Sequence, residues 1–123
     1  MNFIRVTPFM RVPDLEAALV FFNKTLGFDV GFHAGTYAYV FRETVAFRLI
    51  EEDASCLPPP DSDGRYAYYI DVEDIAALWA ELKPELDLLP PGDVQQPFDQ
   101  PYGQREFIVR MPDGMLLAFG QGI

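Results

Sequence analysis

Few side chains in this chain are of the kinds that do chemistry. There is one histidine, His33, and one cysteine, Cys56, and neither has a companion at ligand or relay spacing. A metal site needs several His, Cys, Asp or Glu donors converging, and a nucleophilic cysteine needs a base beside it. His33 therefore reads as an exposed residue. Cys56, set in a proline-rich stretch, reads as having no catalytic role. A glycine-rich phosphate loop and a serine nucleophile elbow are both absent from the sequence. No catalytic residue, metal ligand or cofactor is expected on these grounds. A lone cysteine also makes no internal disulfide, which fits a cytoplasmic home.

Charge is the more abundant resource. Nine Lys and Arg face nineteen Asp and Glu, a net charge of −10. Residues 1–60 hold five basic and seven acidic side chains, whereas 61–123 hold four and twelve, so the halves carry −2 and −8. Such a surface repels phosphate backbones, which argues against nucleic acid as a partner. It either keeps the chain soluble or gathers cationic ligands, and the sequence leaves both open. No apolar run approaches the 18 residues or more that a membrane span needs. Met1 to Arg5 lack the apolar core and cleavage site of a signal peptide. With 123 residues, half of them hydrophobic, one globular domain over 1–123 is expected.

An internal repeat supplies the elements. Val12-Pro13-Asp14-Leu15 returns as Val72-Glu73-Asp74-Ile75, sixty residues later. A helix-period stripe follows each copy: Leu15, Ala18, Leu19, Phe22, Leu26 in the first, and Ile75, Leu78, Trp79, Leu82, Leu86 in the second. Asp14 and Asp74 stand where a carboxylate caps free backbone N–H groups. Gly27 should stop the first helix, and Pro84 should end or kink the second near Lys83. Strands are expected over 3–12, 28–32, 37–42 and 45–51, then over 65–72, 106–110 and 115–119, with a weak one near 88–94. Pro90-Pro91-Gly92 argues against a long strand there, and Gln95 to Gln104 reads as a loop. Cys56 to Gly64 reads as the connection between a first module, 1–55, and a second, 65–123.

These motifs in this order resemble the vicinal oxygen chelate superfamily, which includes glyoxalase I, the extradiol dioxygenases and the bleomycin resistance proteins. The resemblance rests on Val12-Pro13-Asp14-Leu15, on Phe21-Phe22 before Leu26-Gly27-Phe28, and on Gln100-Pro101-Tyr102-Gly103 leading into Met111-Pro112-Asp113-Gly114. It covers nearly the whole chain. It implies an α+β fold: two tandem β-α-β-β-β modules forming a curved mixed sheet around a cleft, with helices on the convex face. It also implies that modules pair between chains in a homodimer.

In metal-dependent relatives, His, Glu or Gln ligands come from the first and last strands of each module. Carried over by motif, those positions are Thr7, Arg48, Ala67 and Ala118. The two alanines offer no donor, threonine is a weak one, and arginine stays cationic. The resemblance is thus nearest to the bleomycin-resistance-like members, which sequester an antibiotic without transforming it. Arg48, if inward, needs an anion. That anion is either a ligand's or a carboxylate of the chain such as Glu106 or Glu51, unless the side chain snorkels to solvent.

The expected ligand-binding residues are Thr7, Phe9, Arg48, Tyr69, Phe98 and Tyr102. Phe9 and Tyr69 would form an aromatic wall or pack in the core, and Phe98 and Tyr102 would act as a lid. Tyr37 and Tyr39 depend on the Glu43-Thr44 turn: two residues aim both at the cleft, three aim both at the core. The leading expectation is a metal-free binder of an antibiotic or other small organic ligand. A metal-dependent lyase or dioxygenase of the same superfamily, and an interaction module with a vestigial cleft, are the alternatives.

Overall fold

A computed structural model describes residues 2–53, 55 and 66–123. Cys56 and the expected Cys56–Gly64 connection lie outside the described residues. The chain divides into two compact units, residues 1–57 and 58–123.

In the first unit, β1 (Phe9–Val12) leads to α1 (Leu15–Val20), which continues as a π-helical turn over Phe21–Thr25. Strands β2 (Asp29–Ala34), β3 (Tyr37–Arg42) and β4 (Val45–Glu51) follow. The sheet order is β1-β4-β3-β2, with β1 parallel to β4 and the other neighbours antiparallel. The second unit repeats the scheme with β5 (Tyr66–Asp71), α2 (Ile75–Leu86), β6 (Val94–Asp99), β7 (Gln104–Arg110) and β8 (Leu116–Gly122), in the order β5-β8-β7-β6. The fold is therefore the expected α+β pair of β-α-β-β-β modules, each a four-stranded mixed sheet with its helix on one face.

Both helices begin as their sequences require. Asp14 accepts a hydrogen bond from the Ala17 backbone N–H, and Asp74 accepts one from Ala77, so each aspartate satisfies a free first-turn donor. Glu51 accepts from the Leu15 N–H, and Gln121, its counterpart on β8, accepts from Ile75. The end of each module's last strand thus fastens the start of that module's helix. Every residue of the first stripe is buried; in the second, Ile75, Leu82 and Leu86 are buried while Leu78 and Trp79 are half-buried. Against these stripes lie Ala38, Val40, Phe47 and Leu49 in one unit, and Phe107, Val109, Leu117 and Phe119 in the other.

Three expectations need correcting. Strand β1 starts at Phe9 rather than Phe3, because its register with β4 begins only at Phe9 opposite Arg48. Helix α2 runs through Pro84 to Leu86. Proline there forfeits one backbone bond in the last turn, and the burial of Leu82 and Leu86 on either side offsets it. The weak strand of the second module is β6, over 94–99, so most of the expected 95–104 loop is strand. Pro97 is tolerated because β6 is an edge strand with a register shift between Gln95 and Phe98.

Candidate functional site

Each sheet has a helix-covered face and an opposite face, and alternation assigns the residues to one or the other. On β3 and β4, Ala38, Val40, Phe47 and Leu49 point to the helix, so Tyr37, Tyr39, Phe41 and Arg48 point away. The turn settles the open question about the tyrosines. Arg42 pairs with Val45 across a two-residue Glu43-Thr44 turn, and Tyr39 stands directly opposite Arg48. Glu43 carries the positive φ, 53°, that such a tight connection demands. The equivalent turn in the second module is one residue longer, since Met111 N–H bonds the Met115 carbonyl around Pro112-Asp113-Gly114.

Arg48 is the centre of the first unit's open face. Its guanidinium donates to the Tyr37 hydroxyl at 2.6 Å, and its Cζ lies 5.3 Å from the Tyr39 ring centroid. Glu51, the carboxylate of its own unit expected as a partner, instead caps α1, and Glu106 accepts from Tyr102 and Gln100 within the second unit. Among the described residues no carboxylate bridges Arg48. A guanidinium has five donors, so one phenol leaves most of them for other partners. Phe9, directly across β1 from Arg48, is 60% exposed, and Phe32, whose ring lies 6.0 Å from that of Tyr37, is 55% exposed. Gly31 keeps this surface open, because a Cβ there would press within 3.0 Å of the Tyr39 ring and 3.1 Å of the Phe41 ring. Thr7 precedes β1 and is half-buried.

The second unit builds a different surface on the same plan. Tyr69 stands opposite Ala118, as Phe9 stands opposite Arg48. Where the first unit places Tyr37 opposite Ile50, the second places Glu106 opposite Gly120. Glu106 is only 2% exposed. Its Oε2 accepts from the Tyr102 hydroxyl at 2.7 Å and its Oε1 from the Gln100 amide at 3.0 Å. Tyr69 donates to Gln104 Oε1 at 3.0 Å, and its ring fills the space where a side chain at Gly120 would collide with the hydroxyl. Burial first, and then the Glu106 carboxylate, push the Tyr69 hydroxyl well above its ordinary range, so it remains a donor. Phe98, expected in a lid, lies instead in β6 opposite Glu106 and is half-buried. Tyr102 does occupy a turn, between β6 and β7, and is 65% exposed.

Of the sequence candidates, Phe9 and Arg48 come together on the first sheet, and Tyr69, Phe98 and Tyr102 gather around Glu106 on the second. Glu106 itself had been considered only as a partner for Arg48. Its match to Tyr37 emerges only from the strand pairing, because the longer second turn shifts the register of the repeat by one residue. The positions matched by motif to the ligands of metal-dependent relatives hold Thr7, Arg48, Ala67 and Ala118. Two methyl groups, one hydroxyl and a fixed cation do not make a divalent metal site. His33 is exposed on β2, and among the described residues no three His, Cys, Asp or Glu converge.

The model of the Glyoxalase/Bleomycin resistance protein/Dioxygenase superfamily matches residues 4–119. The chain belongs to that superfamily. Among solved structures it resembles a bleomycin-binding protein from bleomycin-producing Streptomyces verticillus, complexed with copper(II)-bleomycin. Identity is 25%, coverage is 100% of this chain and 99% of that one, and the TM-score is 0.76. A bleomycin resistance determinant encoded on the transposon Tn5 matches at 19% identity, 98% of each chain and a TM-score of 0.78. A lactoylglutathione lyase from Agrobacterium tumefaciens matches at 20% identity, 96% of this chain and 93% of that one, with a TM-score of 0.68. The superfamily thus includes binders and enzymes on one fold, and no curated protein matches this chain closely enough to choose between them.

Proposed function

We propose that this chain is a metal-free small-molecule-binding protein, similar to the bleomycin resistance proteins, that sequesters an antibiotic or another organic ligand. The observation that carries this reading is Arg48 held against Tyr39 by Tyr37, without a carboxylate partner among the described residues, beside exposed Phe9 and Phe32. Aromatic faces with one oriented charge bind and orient a ligand, and they supply no general base or Lewis acid. The likeness to the copper(II)-bleomycin complex supports an antibiotic as one ligand class. The lone cysteine supports a cytoplasmic setting, and the net charge of −10 argues against nucleic acid.

Titration calorimetry of purified protein against bleomycin and a set of aromatic acids tests the reading. Saturable binding with no metal added, and no stoichiometric metal by elemental analysis, is the expected result. A stoichiometric divalent metal with turnover of a glyoxalase-type substrate would establish the lyase reading instead. Absence of any saturable ligand would leave an interaction module.

The functional unit is proposed to be a homodimer. Phe3, Ile4 and Val6 are 94%, 85% and 88% exposed, a run of apolar side chains ahead of edge strand β1 that a second copy would cover. Light scattering at micromolar concentration should give twice the chain mass, and a monomer would refute the pairing.

A further inference from the structure

Glu106 is a charge the first unit's site does not use. It is buried, yet its carboxylate is met by phenols and an amide rather than by a cation. Among the described residues no lysine or arginine bridges it; the nearest in sequence, Arg105, is committed to Asp99 at 2.7 Å. Burying a carboxylate with neutral donors alone leaves its charge uncompensated, which an apolar residue at that position would avoid. The surroundings are also those of a recognition site. Tyr69 and Tyr102 stand beside it, and β8 opposes it with Gly120, flanked on the same face by Ala118 and Gly122. Two donors to Glu106, Gln100 and Tyr102, belong to one segment, closed by the Gly103 N–H to Gln100 carbonyl bond, while the Tyr69 hydroxyl approaches the carboxylate from β5. A shift of that single turn would remove the Gln100 donor from Oε1 and the Tyr102 donor from Oε2.

We infer that Glu106 is the anchor of a second ligand contact, which takes a planar amidinium or guanidinium group in place of the Tyr102 and Gln100 donors. A planar cation with two parallel N–H groups matches a carboxylate whose two oxygens each take one donor from the same turn. Tyrosine rings beside the carboxylate favour the same group, since a planar cation also stacks on aromatic rings. A point-like ammonium satisfies one oxygen at a time and should bind less well. The residues 61–123 carry −8 of the chain's −10, so the field around this unit also attracts cations. The inference rests on the reading of the chain as a binder of organic ligands, and it names the charge of one group on such a ligand.

The test uses benzamidinium, benzylammonium and benzyl alcohol as probes, with benzoate as an independent check on ligand binding. Benzamidinium should saturate the native protein, more tightly than benzylammonium, with benzyl alcohol weakest. Glu106→Gln should weaken benzamidinium about tenfold or more, the weight of a charge-assisted bidentate contact. Tyr102→Phe keeps the ring and removes the competing hydroxyl, so it should tighten benzamidinium severalfold. That second variant preserves the test if Glu106→Gln fails to fold. Benzamidinium binding that is unchanged in both variants would make the cluster purely structural and overturn the inference. Saturation by benzoate but not by benzamidinium would sink this inference alone, whereas saturation by neither would remove the binding reading with it.

Discussion

Replacing Phe107 with alanine should destabilise the protein by about 3–5 kcal/mol, the usual range for deleting a fully buried phenylalanine. Phe107 is 0% exposed, its ring is stacked 4.7 Å from Phe119 at 14°, and Trp79 lies 5.1 Å away on the helix. The ring joins α2 to β7 and β8, so alanine there leaves a cavity bounded on two sides by aromatic faces. Such pairs add about 0.5–1.5 kcal/mol beyond the area buried. A whole domain is commonly stable by only about 5–15 kcal/mol, so the loss would be a large fraction. Trp79, the only tryptophan, packs on this ring, and its fluorescence in a urea titration reports on the second unit. The midpoint should fall with little change in slope. A loss below about 1 kcal/mol would mean that the Trp79–Phe107–Phe119 contact does not close the core. Phe9→Ala, at a ring 60% exposed, serves as the contrast and should cost less than about 0.5 kcal/mol.

The elements of this fold were legible wherever local signals agreed with one another. The stripe from Leu15 to Leu26, the aspartate before it and the glycine after it all named one helix, and Gly27 has the positive φ, 75°, that stops it. Strands β3 and β4 were bounded by the same turn residues that close them. Disagreement arose where tertiary context outweighed a local rule. Pro84 is a helix breaker in isolation, but Leu82 and Leu86 are held against the sheet on either side of it. Pro97 is a strand breaker that an edge strand accommodates. At Phe3 to Val6 the apolar residues of a strand were present, but strand register depends on a partner and begins only at Phe9.

The site was legible for a different reason. Arg48 stood out because it puts a fixed cation at a position matched by motif to a metal ligand, where its repeat equivalent is Ala118. Its partners could not be read, because a one-residue change in turn length moves Tyr37 and Tyr39 between faces. The two modules show both outcomes: a two-residue link at Glu43-Thr44, and a longer one at Pro112-Asp113-Gly114. Glu106 was obscured in another way. Nothing in its neighbours marks it as buried, and its donors, Gln100 and Tyr102, are on the far side of a turn. Only the pairing of β7 with β8, which sets Glu106 beside Gly120, makes room for the Tyr69 ring and closes the cluster.

Arg48→Ala should weaken an aromatic carboxylate such as benzoate by about 1.5–3 kcal/mol, about 10–150-fold in Kd, and leave the metal content at zero. The expected loss is that of a charge-assisted hydrogen bond made by a guanidinium whose position is already set. Tyr37 fixes one nitrogen at 2.6 Å and Tyr39 supports the plane at 5.3 Å, so little ordering remains for a ligand to impose. Arg48→Lys separates charge from geometry. It keeps the cation but loses the planar fork and its stacking on Tyr39, so it should recover only part of the affinity. Full recovery would show that a point charge suffices and that the aromatic cradle has no role in recognition. The metal arm follows from the same residue. A cation about 4 Å from a divalent ion costs roughly 8 kcal/mol at an effective dielectric of 20, more than the Thr7 hydroxyl could offset. Removing the arginine lifts that repulsion but adds no donor, since Ala67 and Ala118 offer none. Stoichiometric zinc, nickel, manganese or iron in protein purified without added metal, lost on mutating residues beside these four, would reverse the conclusion and return the chain to the metal-dependent branch of its superfamily.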